Sequence, residues 1–133
     1  MKYKNAIYFL IVLVVVAGLV YITINSKNKM PEEQIVKARD IVSVNYTGSL
    51  EGGTAFDSNV DPKFGHAGQP LIFTVGAGQM IPGFDKGVLG MKVGEKKTLT
   101  LPPEEAYGAD GRPPVIPPNS TLVFEIELLA IKE

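Results

Sequence analysis

The sequence contains no cysteine and only one histidine among its 133 residues. Without cysteine the chain has no disulfide, no thiolate metal ligand and no thiol nucleophile. The single histidine, His66, lies in a predicted loop with no partner cluster around it, so we interpret it as a solvated loop residue and not as a ligand or a base. We predict neither a metal nor a cofactor for this chain.

The first thirty residues contain four lysines and no acid, and the nineteen residues from Ala6 to Ile24 carry no charge. As a helix this stretch would be about 28 Å long, close to the ~30 Å hydrocarbon core of a bilayer. It is longer than the apolar region of a signal peptide and lacks a small-residue cleavage site. We predict an anchor at 1–29 with its span at about 6–24, a linker at 30–39 and one domain at 40–133.

The lysines at both ends of this stretch bear on its orientation. Lys2, Lys4 and the terminal amine favour a cytoplasmic N-terminus, whereas Lys27 and Lys29 oppose it. We predict a single-pass protein of the cell membrane whose N-terminus is cytoplasmic and whose domain lies outside the cytoplasm. A cleaved signal peptide is the alternative.

The chain also lacks a basic stripe. Residues 31–133 carry nine Lys and Arg and fourteen Asp and Glu, so 9 − 14 gives a net charge of −5. An acidic domain without clustered Lys and Arg is a poor match for phosphate backbones, and we predict no nucleic-acid partner.

The domain shows mainly strand and turn signals. Apolar and polar residues alternate in the pattern of half-buried strands at 42–47, 95–101 and 121–131, and we predict further short extended segments at 54–57 and 71–75. Pro82 suits the first turn of a short helix, which we predict from Pro82 to about Leu89. These elements indicate an α+β fold in which an antiparallel sheet packs against one short helix.

Two segments combine an aromatic ring with a turn shaped by Gly or Pro. They are VSVNYTGSLEGGTAFD at 42–57 and AYGADGRPPVIPP at 106–118. Neither contains a nucleophile–base pair or a set of metal ligands. Aromatic residues at alternating strand positions are usually core, but rings beside hydroxyls in tight turns also suit an apolar, kinked peptide. This combination points to a conformational reaction, rotation about an X–Pro bond.

From about Asp40 to Lys132 the chain resembles an FKBP-type peptidyl-prolyl cis-trans isomerase with a single minimal catalytic domain. The matching segments are VSVNYTGSLEGGTAFDS, FTVGAGQMIPGFDKGVLGMKVGEKKTLTLPPEEAYG and VIPPNSTLVFEIELL. The resemblance implies a strongly twisted antiparallel sheet that wraps a short helix, with an apolar pocket between them. The short region before Val42 implies that the family's extra N-terminal strand is only a stub here.

The resemblance also assigns the site residues. It implies catalytic roles for Phe56, Asp57, Tyr107 and Phe124. It implies substrate binding by Tyr46, Phe73, Met80, Ile81, Phe84, Val115 and Ile116. The chain departs from the family pattern at three places: Phe84 replaces the usual tryptophan, Arg112 replaces a frequent histidine, and the segment 59–69 is longer.

The implied activity is peptidyl-prolyl cis-trans isomerisation that assists protein folding. The implied partners are proline-containing segments of unfolded or folding proteins, the lipid bilayer through residues 6–24, and possible macrolide ligands. Two other readings stay open at this point: a non-catalytic, membrane-tethered chaperone or binding module for proline-containing chains, and a structural tether that recruits a partner.

Overall fold

The computed structural model describes residues 2–27 and 33–132. The chain divides into two compact units, Met1–Glu33 and Gln34–Glu133. Lys29 and the first part of the predicted linker lie outside the described residues.

The first unit contains one long helix, α1, which spans Lys2–Lys27. Its apolar segment Tyr3–Asn25 is 23 residues long and is exposed along its whole length. At about 1.5 Å per residue, 23 residues extend ~34 Å, which is enough to cross a bilayer. Length and composition make this helix a candidate span, but the signal sequence of a secreted protein passes the same test.

The second unit is built on a five-stranded antiparallel sheet. Its strands are β1 (Ile41–Leu50), β2 (Ala55–Ser58), β3 (Leu71–Thr74), β4 (Lys96–Leu101) and β5 (Leu122–Lys132). β5 pairs with one edge of β1 along its whole length, and β4 pairs with the far side of β5. β2 and β3 both pair with the other edge of β1, β3 near its start and β2 near its end. The predicted α+β fold is confirmed.

The short helix α2 covers Pro82–Gly87 and packs near β4. Pro82 occupies the first turn, where its missing N–H is no loss. Gly83 allows close packing, because a Cβ at this position would lie 2.6 Å from Leu101 Cδ2. The helix ends two residues before the predicted Leu89, with Val88 as its C-cap and Gly90 turning the chain at φ 77°.

The alternating residues of β1 and β5 supply most of the core. Along β5 the even-numbered residues from Leu122 to Leu128 are at most 5 % exposed, while Glu125 points to solvent. Ahead of β1, Val36 is also buried, and its N–H donates to the Met91 carbonyl at 2.9 Å. Ile35 forms a single bridge with Lys92. The pairing ahead of β1 is therefore a short stub.

Candidate functional site

Five aromatic rings from different elements meet on the inner face of the sheet. Phe84 of α2 lies at the centre, with ring centroids at 5.2 Å from Phe124, 5.7 Å from Phe73 and 6.2 Å from Tyr46. Phe56 contacts Phe124 at 5.7 Å, and every pair meets edge to face, the arrangement that aromatic quadrupoles favour. Phe84 is fully buried, whereas Tyr46 and Phe56 are half-buried. We call these five rings the aromatic cluster. Its floor, formed by the buried Phe84, is closed, and its rim, at the half-buried Tyr46 and Phe56, is open.

Gly48 lets the rings of the aromatic cluster reach the backbone of β1. It lies directly opposite Phe124 in the β1–β5 register. A Cβ at Gly48 would lie 2.7 Å from Phe124 Cε1 and 2.7 Å from Phe56 Cζ, well inside ordinary contact distance. This residue was not predicted from the sequence. The signal was present, because Val42, Val44 and Tyr46 face inward and the alternation continues to a glycine, which in a strand marks a close approach.

Asp57 of β2 holds the hydroxyl of Tyr46 at the rim of the cluster. Its Oδ2 accepts the Tyr46 hydroxyl at 2.6 Å, and its Oδ1 accepts the Ser58 N–H at 2.9 Å. Burial raises the pKa of Tyr46 well above its ordinary value, and the hydrogen bond to Asp57 and the charge of that carboxylate raise it further. Tyr46 is therefore a protonated donor throughout the physiological pH range.

Two buried polar side chains, Ser58 and Asn59, tie the following loop to β1. The Asn59 Oδ1 accepts the Tyr46 N–H at 2.7 Å, and its Nδ2 donates to the carbonyls of Val44 at 3.0 Å and Gln69 at 3.1 Å. The Ser58 Oγ accepts the N–H groups of the two residues after Asn59, at 3.1 Å each. Because both residues are at most 1 % exposed, these bonds form away from water and fix the loop firmly.

Met80 and Ile81 form the edge of the cluster at the start of α2. Both are half-buried and pack against the core. The Ile81 carbonyl accepts the N–H groups of Phe84 and Asp85 at 3.1 Å each and so begins the helix. Within residues 33–132, none of the described hydrogen bonds uses the Ile81 N–H. This donor is therefore open to a bound carbonyl.

Tyr107 brings a second hydroxyl to the site. It is half-buried against the core after a 3₁₀ turn at Pro103–Glu105. Gly108 follows at φ 62°, and its N–H donates to the Pro103 carbonyl at 2.8 Å. Arg112 Nη1 lies 3.4 Å from the Tyr107 hydroxyl, and its guanidinium stands 5.7 Å from the ring centroid. Arg112 thus restricts the orientation of this ring.

The last two predicted site residues occupy different environments. Ile116 is buried in the core at 3 % exposed, whereas Val115 is 51 % exposed. A tight turn holds them, in which Arg112 and Ile116 exchange backbone hydrogen bonds at 2.8 and 2.9 Å. Val115 is thus largely open to solvent and is not among the described residues that pack against the core.

The contact of His66 with Asp57 was also not predicted from the sequence. The His66 Nε2 lies 3.1 Å from Asp57 Oδ1, and both side chains are partly exposed. His66 lies in a loop and is partly exposed, as predicted, but it also contacts Asp57, because the longer loop returns to β2 before it enters β3. The length of segment 59–69 was the available signal.

The arrangement favours binding over covalent chemistry. Within the described ranges 2–27 and 33–132, no group of three or more His, Cys, Asp or Glu could hold a metal. A shallow groove of about 400 Å³ lies on the opposite face of the sheet, but polar and charged side chains such as Thr47, Lys96 and Glu125 line it. The aromatic cluster instead combines apolar rings with hydroxyl and amide donors at its rim.

Comparisons with known proteins identify the family to which this chain is similar. Residues 32–129 match the sequence profile of the family described as FKBP-type peptidyl-prolyl cis-trans isomerase. The chain is 55 % identical over 107 residues to FK506-binding protein 2 of Yarrowia lipolytica, covering 79 % of this chain and 71 % of that protein. It is 50 % identical over 101 residues to an FK506-binding protein of Neisseria meningitidis serogroup B, covering 76 % of this chain and 87 % of the relative.

A mammalian relative and a solved structure extend the comparison. Peptidyl-prolyl cis-trans isomerase FKBP2 of Mus musculus is 48 % identical over 99 residues, which cover 73 % of this chain and 67 % of the relative. The crystal structure of FkpA from Escherichia coli is similar with a TM-score of 0.65 and 44 % identity over 76 % of this chain. The match spans 44 % of the FkpA chain.

Proposed function

We propose that the aromatic cluster is the catalytic pocket of this protein, because the chain belongs to the FKBP-type peptidyl-prolyl cis-trans isomerase family. As a member of this family, the protein is an enzyme that accelerates rotation about X–Pro bonds. The observation that carries the assignment is the closed floor at Phe84 beneath an open rim, where Asp57 holds the hydroxyl of Tyr46 at 2.6 Å.

The reaction needs no bond to be made or broken. Resonance gives the peptide bond a rotational barrier of ~18–20 kcal/mol, while the two isomers of X–Pro differ by only ~0.5–1 kcal/mol. Catalysis therefore requires a site that binds the twisted amide more tightly than either planar form. A twisted amide has lost conjugation and charge separation, so a water-poor apolar pocket favours it over the planar form.

Each residue has a proposed part in this reaction. Phe56, Phe84 and Phe124 hold the proline ring, with Phe73, Met80, Ile81 and Ile116 completing the apolar wall. The Ile81 N–H and the Tyr107 hydroxyl orient the carbonyls on either side of the twisted bond. Asp57 fixes Tyr46 and sets the local field without acting as a general base. Val115 belongs to the neighbouring turn and contacts the chain that follows the proline.

The proposed partners follow from the same pocket. Proline-containing segments of unfolded or folding proteins present an apolar ring between two carbonyls. Because two relatives are named FK506-binding proteins, we also propose that macrolides of this class bind the pocket and compete with peptide. No cofactor takes part in these interactions.

Line-shape exchange spectroscopy on a proline tetrapeptide with blocked ends tests the pocket. With the full chain in phospholipid nanodiscs, we expect exchange broadening that Asp57→Ala and Phe124→Leu reduce at least about tenfold, as expected when positioning is lost. Glu125→Gln, an exposed change on the opposite face, is the matched control. Wild-type turnover in both pocket variants would exclude this assignment of roles.

A refolding assay distinguishes catalysis from non-catalytic binding of unfolded chains. Enzyme at one-hundredth of the client concentration should accelerate proline-limited refolding, because a catalyst turns over. A chaperone that only holds chains would act at equimolar amounts, and that result would favour the binding-module alternative.

For the N-terminal part we propose a retained membrane anchor at residues 1–29 with its span at 6–24. A linker at 30–39 would follow, whose end already packs at Val36, and then the catalytic domain at 40–133. The length of the apolar helix supports a span, and Lys2 and Lys4 support a cytoplasmic N-terminus. Carbonate extraction should leave the protein in the membrane, and external protease should cleave the domain from intact cells lacking an outer barrier. Release by carbonate would instead indicate a cleaved signal.

A further inference from the structure

Resting on the proposed catalytic pocket, we propose that His66 is a positioning residue that holds the Asp57 carboxylate and makes isomerisation depend on pH. Its Nε2 lies 3.1 Å from Asp57 Oδ1, on the side of the carboxylate away from Tyr46. His66 acts on the reaction through Asp57, without touching the substrate.

The contacts of Asp57 show what His66 contributes. Oδ2 accepts the Tyr46 hydroxyl, while Oδ1 accepts the Ser58 N–H and faces the imidazole. The Ser58 donor belongs to the backbone. Among the described partners of this carboxylate, His66 is therefore the only side chain other than Tyr46. A carboxylate held from both sides has little freedom to rotate, and its hold on Tyr46 is correspondingly firm.

The loop that carries His66 is built to hold it in place. Asp61 Oδ1 accepts the Lys63 N–H at 3.0 Å and begins a 3₁₀ turn at Pro62–Phe64, which ends at Gly65 with φ 82°. His66 follows, and its carbonyl accepts the Gln69 N–H at 3.2 Å. The Gly68 N–H then donates at 2.9 Å to the backbone carbonyl of the buried Asn59. Both ends of the segment are thus anchored, and the imidazole is placed by a folded loop.

Among the described residues, few charged or titratable groups face His66. From β2 it faces Asp57, and behind Asp57 lies the phenol of Tyr46 on β1. On its own loop, Lys63 is paired with Asp61 at 3.4 Å. The change of charge on the imidazole is therefore felt mainly by Asp57.

Protonation changes the charge of the site while keeping the contact. The Nε2–H donates to Asp57 both in the imidazolium and in the neutral tautomer that carries this proton. The pair has a net charge of −1 when His66 is neutral and zero when it is protonated. A planar amide carries more negative charge on its carbonyl oxygen than a twisted one, so an uncompensated carboxylate nearby disfavours the planar form. We therefore expect faster catalysis with neutral His66.

Two substitutions separate positioning from charge. His66→Gln keeps a neutral N–H donor of similar reach, so kcat/KM at pH 8 should stay within twofold of the wild type and its pH dependence should disappear. His66→Leu removes the donor and should lower kcat/KM at every pH. Between pH 8 and pH 5.5 we expect wild-type kcat/KM to fall by about 1.5-fold to fivefold, the size of effect that partly exposed ion pairs have.

The single histidine allows a direct test of the contact. In the full chain, prepared without a histidine tag, the ring signals of His66 are unambiguous in NMR spectra. Asp57→Ala should shift these signals, whereas Glu125→Gln should leave them in place. Unchanged signals in Asp57→Ala would overturn the contact.

The pH profiles of kcat/KM test the role of His66 in catalysis. A His66→Gln profile parallel to the wild type between pH 5.5 and 8, or wild-type kcat/KM in His66→Leu, would overturn the role of His66. If Asp57→Ala loses activity in the same experiment, only this inference fails. If Asp57→Ala keeps full activity, the proposed pocket itself fails.

Discussion

Adding one methyl group at Gly48 should damage the catalytic pocket more than the fold. The Cβ of Gly48→Ala would lie 2.7 Å from Phe124 Cε1, 2.7 Å from Phe56 Cζ and 2.9 Å from Phe56 Cε2. Carbon atoms pack at about 3.5–4.0 Å. Each ring must therefore withdraw by roughly 0.8 Å or more, and both rings belong to the proposed proline site.

The expected loss of stability is modest. Overpacking of a core costs about 1–3 kcal/mol, while alanine in a strand recovers about 0.5–1 kcal/mol that glycine loses in conformational entropy. No left-handed backbone conformation is needed at Gly48, so strain of the main chain does not contribute. The balance is a decrease of about 0–2.5 kcal/mol in the free energy of unfolding, and we expect a value near the middle of that range.

The expected loss of activity is larger. Misplacement of a binding group by about 1 Å can reduce catalysis by about 100-fold, so we expect kcat/KM on a proline tetrapeptide to fall at least tenfold. We expect the variant to stay folded at 15 °C, where activity is measured, and urea denaturation gives its stability. Gly52→Ala is the matched control, because a Cβ at Gly52 meets nothing within 4 Å and should change stability by less than about 0.5 kcal/mol.

A double-mutant cycle identifies the cause. Phe56→Leu removes the ring edge that the new methyl group meets, so Gly48→Ala should cost less stability in the Phe56→Leu background than alone. Full activity and unchanged stability in Gly48→Ala would refute the idea that contact of these rings with β1 defines the pocket. Equal costs in both backgrounds would refute the clash with Phe56 as the cause.

Three further outcomes are expected. Phe84→Ala should lower the free energy of unfolding by about 3–5 kcal/mol in urea, since Phe84 is 1 % exposed; a loss below about 1 kcal/mol would mean that it is not the buried floor. Asn59→Ala should cost about 1–3 kcal/mol because buried backbone groups on Tyr46 and Val44 lose their partners, and an unchanged thermal midpoint would contradict this. The folded protein raises the pKa of Tyr46, so the unfolded chain loses the phenolic proton at a lower pH than the folded chain does. The contribution of Tyr46 to stability is therefore complete below about pH 10 and is lost as the pH rises further. Tyr46→Phe should show a shallower alkaline loss in denaturation curves, and identical curves would rule out this contribution.

Much of the architecture could be predicted from local patterns. Alternation along 121–131 indicated β5, because side chains of a strand point to opposite faces and one face must avoid water. Pro82 marked the start of α2 because its ring suits the first turn of a helix. The uncharged stretch at 6–24 indicated a long helix that is apolar on every side and has no polar face.

The details of the site depended on contacts that no local pattern contains. Gly48 meets Phe124, 76 positions away, only because β1 and β5 pair in one register. His66 meets Asp57 only because Asn59 fastens the intervening loop to β1. Sequence by itself thus determined which residues are apolar, where strands and turns form and to which family the motifs are similar. Tertiary structure alone decided which polar groups meet, because strand register and loop closure bring together atoms that are distant along the chain.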